Sequence, residues 1–260
     1  MTEPLLLRSD LLAHVPHAFS TRVGGVSSGA FDSLSLGNPS GLPDAQRDPR
    51  ANILANLDRI RGALGCDGCE IVQVHQVHGN DAAVLRVGEP CPGIADVKAD
   101  AILTDDPRRL LCVRVADCTP ILLADAAGSV VGAVHAGWRG VIAGAVLTAV
   151  REIRALGAGE LLAAIGPCIG PEAFEVGPEV ALAFDRAFPD EPVVIRGEGK
   201  DRVDLKRAIR AQLLAQGVTR IDVLPHCTVR EPKLFYSHRR DAGLTGRTGA
   251  FIATARGRRA

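Results

Sequence analysis

Aromatic side chains are scarce in this chain, at 3% of 260 residues, which leaves few platforms on which the bases of a single-stranded nucleic acid could stack. Excess charge is missing too: 30 Lys and Arg balance 30 Asp and Glu. A general polyanion binder carries a basic excess or stripe, so nucleic acid is not an expected partner. No apolar run reaches the roughly 20 residues of a membrane-spanning helix. The opening MTEPLLLRSDLLAHVPHAF lacks the long apolar core and small-residue cleavage site of a signal peptide. No membrane contact is expected, and the cytoplasm is the expected compartment, where thiols stay reduced. The seven cysteines are an odd number without disulfide-like spacing. The closing ARGRRA is basic but short and reads as a frayed end.

What is present suits a globular enzyme. At 47% hydrophobic residues the chain can bury a sizeable core without a metal to hold it together. There is no repeat, no low-complexity tract and no Pro/Ser-rich linker. One domain over residues 1–260, carrying the long glycine-rich loop STRVGGVSSGAFDSLSLGNPSG, fits better than two. DPRANILANLDRIRGALG reads as a helix with Asp48 as its cap, Pro49 in the first turn, Ile53, Leu57, Ile60 and Leu64 on one face, and Gly65 as its stop. GVIAGAVLTAVREIRALG reads as a second helix that buries Val146, Val150 and Ile153 and ends at Gly157. VDLKRAIRAQLLAQG reads as a third, with Leu205, Ile209 and Leu213 in line and Gly217 closing it. LLCVRV, PILLAD, VVGAVHA, LLAAIG and IDVLPH read as buried strands. The links between the three runs from Leu110 to Ala136 are very short, which suits antiparallel neighbours. Strands followed by a helix point to α+β layering.

The polar residues at these strand ends carry the chemistry. Cys118 follows VRVAD as one strand gives out, and His135 ends VVGAVHA before Gly137. His75 and His78 lie in VQVHQVHGN, where strand alternation would face them opposite ways, so one of the two can join Cys118 and His135. A thiolate with two imidazoles is a zinc donor set that leaves a fourth position for water or substrate. The plain alternative is a buried thiol and a satisfied core histidine. HAGWRGVIAG puts glycines, Trp138 and Arg139 at a helix start, where free amides favour an anion. The bland reading is a glycine turn. CDGC at 66–69 is a lone CxxC that reads as surface thiols, and Cys168 and Cys227 read as packing or loop residues.

HAFSTRVGGVSSGAFDSLSLG, QVHG, ADCTPILLAD, GAVHAGWRG, IGPCIGPEAFEVG and CTVREPKLFYSHRRDAGLTGR, in this order from about His17 to about Ile252, resemble the laccase-domain or polyphenol oxidase family. More recently these are described as purine nucleoside phosphorylases with adenosine deaminase activity, one bacterial branch being called peptidoglycan editing factor. The resemblance implies a four-layer α/β/β/α sandwich with mixed, largely antiparallel sheets. It implies zinc on His78, Cys118 and His135, with copper able to occupy the same donors. The chain departs from the family at Ser35, where SLNLG is usual, and in SGLPDAQRDP, where an acidic run is usual.

Phosphorolysis of a nucleoside needs cationic donors around phosphate and a proton for the departing purine. The resemblance makes Arg22, Arg239 and Arg240 candidates, and Arg139 joins them from the helix start. Asp117, beside Cys118, is a candidate proton carrier for catalysis at Cys118 and His135, its alternative being a strand-end carboxylate that caps nearby amides. Deamination would direct water at C6 of adenine. The rivals are a cysteine or zinc amide hydrolase that edits peptidoglycan precursors, a metal-stabilised scaffold, and a copper phenol oxidase. The seven histidines include no His-x-His pair, which disfavours the last.

Overall fold

The computed structural model describes residues 2–257. Two sheets lie face to face, each covered on its outer side by helices. The first has five strands in the order Leu6–Leu7, His17–Ser20, Thr248–Ile252, Arg109–Val115 and Glu70–Val72. The second has six, in the order Arg220–Val223, Leu161–Ile165, Thr119–Asp125, Val131–Ala136, Ala101–Thr104 and Ala82–Leu85. Pairing is antiparallel through the middle of both, with parallel pairs at one edge of the first and both edges of the second. This is the expected α/β/β/α sandwich.

Strand alternation builds the layers. Leu111 and Val113 point between the sheets and meet Leu122, Ala124 and Ala133. Their neighbours Leu110 and Cys112 point outward under helix α1 (Arg50–Ala63), against Leu57, Ile60 and Leu64. On the second sheet, Ile121 and Leu123 point outward. They pack under helices α3 (Ala145–Ala155), α4 (Pro178–Ala187) and α5 (Leu205–Ala215), with the short α2 (Trp138–Ala143) leading into α3. Strands buried on both faces read as unbroken apolar runs, which is why these segments were visible. Each such leucine or isoleucine contributes roughly 1.5–3 kcal/mol of burial.

Four expectations need correction. The run 140–157 is two helices, because Gly144 turns left-handed (φ 81) between them. The runs LLCVRV and PILLAD are not partners: the first pairs with Thr248–Ile252 and Glu70–Val72, the second with Val131–Ala136 and Leu161–Ile165. Residues 116–118 therefore carry the chain from one sheet to the other. Asp48 does not cap α1; its carboxylate accepts from Ser27 Oγ (2.6 Å) and Asn52 Nδ2 (3.0 Å). Cys66 and Cys69 are buried against α1 rather than at the surface. The helix over 205–215 stands, with Asp204 accepting from Arg207 N at 3.0 Å. Of the basic end, residues 258–260 lie outside the described residues. No helix of the described residues is long and apolar enough to cross a membrane.

Asp48 also exchanges backbone bonds with the Asn38 side chain, so it ties the glycine-rich loop to the start of α1. A double-mutant cycle of Ser27→Ala and Asp48→Ala, read by denaturant unfolding, is expected to give a coupling of about 1–2 kcal/mol. Simple additivity would show that the loop tie carries no energy.

Candidate metal centre and its cavity

The change of sheet sets the centre. Cys118 sits where the chain enters the second sheet, one residue before Thr119–Asp125. That strand pairs with Val131–Ala136 in a register that sets Thr119 opposite Ala136 and Pro120 opposite His135. His135 thus reaches the same sheet end from the neighbouring strand. His78 comes from a loop beyond Glu70–Val72, with φ 62. Because residues 73–78 form no regular strand, the alternation argument does not apply there. The chain turns left-handed at His78 and delivers that ring. The side-chain donors of His78, Cys118 and His135 lie within 4.8 Å of one another. The two imidazole rings meet edge to face with centroids 4.8 Å apart. Gly137 clears the space: a Cβ there would lie 2.9 Å from Cys118 Sγ and 3.0 Å from His78 Cδ2. The glycine at the helix start therefore yields to the metal donors, and α2 is only six residues long.

One carboxylate organises the donors. Asp100 is fully buried. Its Oδ1 lies 2.7 Å from His135 Nδ1 and accepts from His78 N at 3.0 Å; its Oδ2 accepts from Gly79 N at 2.6 Å and Val77 N at 3.3 Å. Its own carbonyl accepts from His135 N at 2.7 Å. A carboxylate behind an imidazole fixes the tautomer with Nε2 free to ligate, the usual support of a metal-binding histidine. The same side chain holds residues 77–79 in the turn that presents His78. Sequence reading missed Asp100, a lone acid in VKADAIL.

Charge follows from this packing. Burial alone would push the Cys118 thiol up, but the His135 charge and the bonds from His135 and His78 outweigh it and hold the thiol at about 6. Burial would push His135 down, but Cys118 and Asp100 outweigh it and raise the imidazole to about 9. At neutral pH the metal-free pair is thiolate and imidazolium. Two imidazoles and a thiolate suit zinc, and copper as well.

The donors open onto a cavity of about 470 Å³. Cys118, His78 and His135 line it together with Asp117 and Arg239. Asp117 (φ 83) accepts from Thr228 Oγ1 at 2.6 Å and Arg239 N at 2.7 Å. Both oxygens tie loops down, which favours the capping alternative over a proton carrier. The other expected arginines lie elsewhere. Arg22 donates to the carbonyls of Asp32 and Pro232 and stacks over Tyr236. Arg139 is exposed and stacks over Trp138. Arg240 pairs with Asp241 and donates to the carbonyls of Thr228 and Phe235. The cavity is lined instead by Arg114 and Arg247, with His75, His238 and Phe174. Arg247 lay within a quoted motif, GLTGR, and Arg114 in an apolar strand run. Burial holds the Arg247 guanidinium below its usual value. Cys227 and His226 serve different partners: Cys227 Sγ accepts from Gly170 N, and His226 pairs with Glu231.

The family model described as multi-copper polyphenol oxidoreductase laccase matches residues 16–255. The chain belongs to this laccase family. A purine nucleoside phosphorylase of Deinococcus radiodurans is 41% identical over 253 residues, which cover 96% of this chain and 93% of that one. Purine nucleoside phosphorylase YfiH of Escherichia coli is 39% identical over 90% of this chain and 91% of its own length. The crystal structure of YlmD from Geobacillus stearothermophilus superposes with a TM-score of 0.85 at 34% identity, covering 96% of each chain. The fold of the laccase family and the site geometry thus come together in one chain.

Replacing Asp100 by Asn is expected to weaken zinc binding about 10–100-fold, measured by chelator competition. Retained affinity would show that the carboxylate is only structural. In the chelated protein, alkylation of Cys118 is expected to reach half its plateau rate near pH 6. A rate still climbing through pH 9 would contradict the charged pair.

Proposed function

We propose that the protein is a zinc-dependent purine nucleoside phosphorylase acting on adenosine, inosine or methylthioadenosine-type substrates, with adenosine deaminase activity in the same cavity. The observation that carries this reading is the three-donor cluster of His78, Cys118 and His135 at the wall of a cavity of about 470 Å³. Relatives that bear the phosphorylase name match this chain over most of its length. In this reading His78, Cys118 and His135 hold the ion and Asp100 keeps His135 turned toward it. Zinc, when bound, supplies Lewis acidity toward an oxygen of water or substrate.

Phosphorolysis forms a bond from a phosphate oxygen to C1′ as the C1′–N9 bond breaks, and the proton of the hydrogen phosphate ends on the purine. This chain's part is to hold nucleoside and phosphate in line within the cavity. Asp117 keeps Arg239 at the wall and anchors itself to Thr228 through its two bonds. Cysteines that form no disulfide among the described residues and a thiolate donor suit a reducing compartment, and we place the activity in the cytoplasm. The oxidase chemistry in the family description asks for several copper sites. Among the described residues a single group of three or more His, Cys, Asp or Glu donors converges.

The Cys118–His135 pair supports a second reading, a thiol hydrolase for amide bonds in cell-wall precursors. Chelation separates the two. Removing zinc is expected to abolish nucleoside turnover, and adding it back to restore it, whereas a thiol hydrolase keeps working without metal. Incubation of zinc-loaded protein with adenosine is expected to release adenine only when phosphate is present, with inosine or hypoxanthine marking deamination. No turnover of any nucleoside would refute the enzyme assignment.

A further inference from the structure

We infer that Arg114 and Arg247 form the seat of free inorganic phosphate, on the wall of the cavity beside the metal donors; the inference rests on the phosphorylase reading and names its second substrate site. The strands Arg109–Val115 and Thr248–Ile252 pair with Arg114 opposite Gly249. Arg247 stands two residues before Gly249, so the two arginines are diagonal neighbours on one face of the pair. Both side chains line the cavity. The Gly37 turn packs over them: a Cβ at 37 would lie 3.2 Å from Arg114 Nη1 and 3.7 Å from Arg247 Cγ. Asn38 and Ser40, just beyond this turn, line the same cavity.

The charge on this wall is unbalanced. Arg114 and Arg247 form no ion pair among the described residues, whereas Arg109 pairs with Asp106 and Glu70, and Arg240 with Asp241. The negative groups nearby are committed. Asp117 spends both oxygens on Thr228 and Arg239, and Cys118 belongs to the donor set. Arg247 is already aimed, since its Nη1 donates to the carbonyls of Thr245 at 3.1 Å and Gly246 at 2.9 Å. Two like charges side by side in a partly dry wall repel, and a dianion relieves both at once. Guanidinium forks match phosphate oxygens in pairs, which a lysine or a neutral donor does not. Arg239, held by its backbone N–H to Asp117 and by Nη2 to the Glu175 carbonyl, stands on the same cavity as a third cation.

The test is calorimetric titration of zinc-loaded protein with inorganic phosphate, repeated on Arg114→Gln, Arg247→Gln and Arg247→Lys. Each glutamine variant is expected to weaken phosphate at least about tenfold. Arg247→Lys is expected to recover part of the loss. Adenosine affinity without phosphate, zinc content and thermal unfolding should stay within twofold or a few degrees, which guards against a folding artefact. Three results overturn the seat. The first is phosphate that binds the glutamine variants as tightly as the parent. The second is phosphate that binds only while zinc is present and ignores the arginines. The third is arginines that tighten adenosine monophosphate while free phosphate fails to bind, which would assign them to a phosphate carried on the nucleoside. A protein that cleaves adenosine without phosphate refutes the phosphorylase reading, and the titration then judges the seat separately.

Discussion

The carboxylate of Asp100 is the constraint on which the centre rests. A fully buried carboxylate costs several kcal/mol unless it is paired and bonded. Here three amides and an imidazole satisfy it. Those four partners belong to two distant segments, the 77–79 turn and the end of strand Val131–Ala136. Satisfying one charge therefore brings two histidines to one point. The positive φ of His78, which costs a non-glycine residue about 1 kcal/mol or more, persists because three consecutive amides must face Asp100.

The sandwich explains why this happens at one sheet end. Residues 116–118 cross between the sheets, and Asp117 takes φ 83 to make the crossing. Its carboxylate is then committed to Thr228 and Arg239, which draws the 226–247 loops to the rim. Rigid, doubly buried strands lie on one side of the cavity, and glycine-rich and arginine-bearing loops lie on the other. Among the described residues the non-glycine positions with positive φ are His78, Asp117 and Ala242. His78 is itself a donor and Asp117 directly precedes another, a pattern expected where local strain is stored for a site.

Much of this was readable because it is local. Apolar runs buried on both faces, the leucine ladder of 205–215 and the residues around Cys118 and His135 all announce themselves in short windows. The residues that were missed depend on pairing between distant segments. Asp100 is a lone acid before a strand until its four partners are known. Arg114 is one polar residue in an apolar strand run, and nothing in that run shows that the face it shares with Leu110 and Cys112 ends at the cavity. A four-residue link, 116–119, suits a hairpin as well as a change of sheet, so the false pairing of 110–115 with 120–125 could not be seen from length. Gly144 inside a helical pattern is usually tolerated; here its left-handed φ splits the helix. Arg22 and Arg240 sit in conspicuous motifs for a different reason, since both tie loops through carbonyls.

Charge accounting links the centre to the wall. In the metal-free protein the Cys118 thiolate is shared between His135, on one side, and the field of Arg247, on the other. A divalent ion held by the thiolate would displace the His135 proton and leave the donor cluster one positive charge richer beside Arg247. The cavity then repels itself more strongly than before, and an anion in it gains by the same amount. Thermodynamic reciprocity requires that the anion tighten the metal as much as the metal tightens the anion. With the proposed metal and phosphate bound, the donor cluster and the arginine wall would behave as one electrostatic unit, in which neither ligand is held independently of the other.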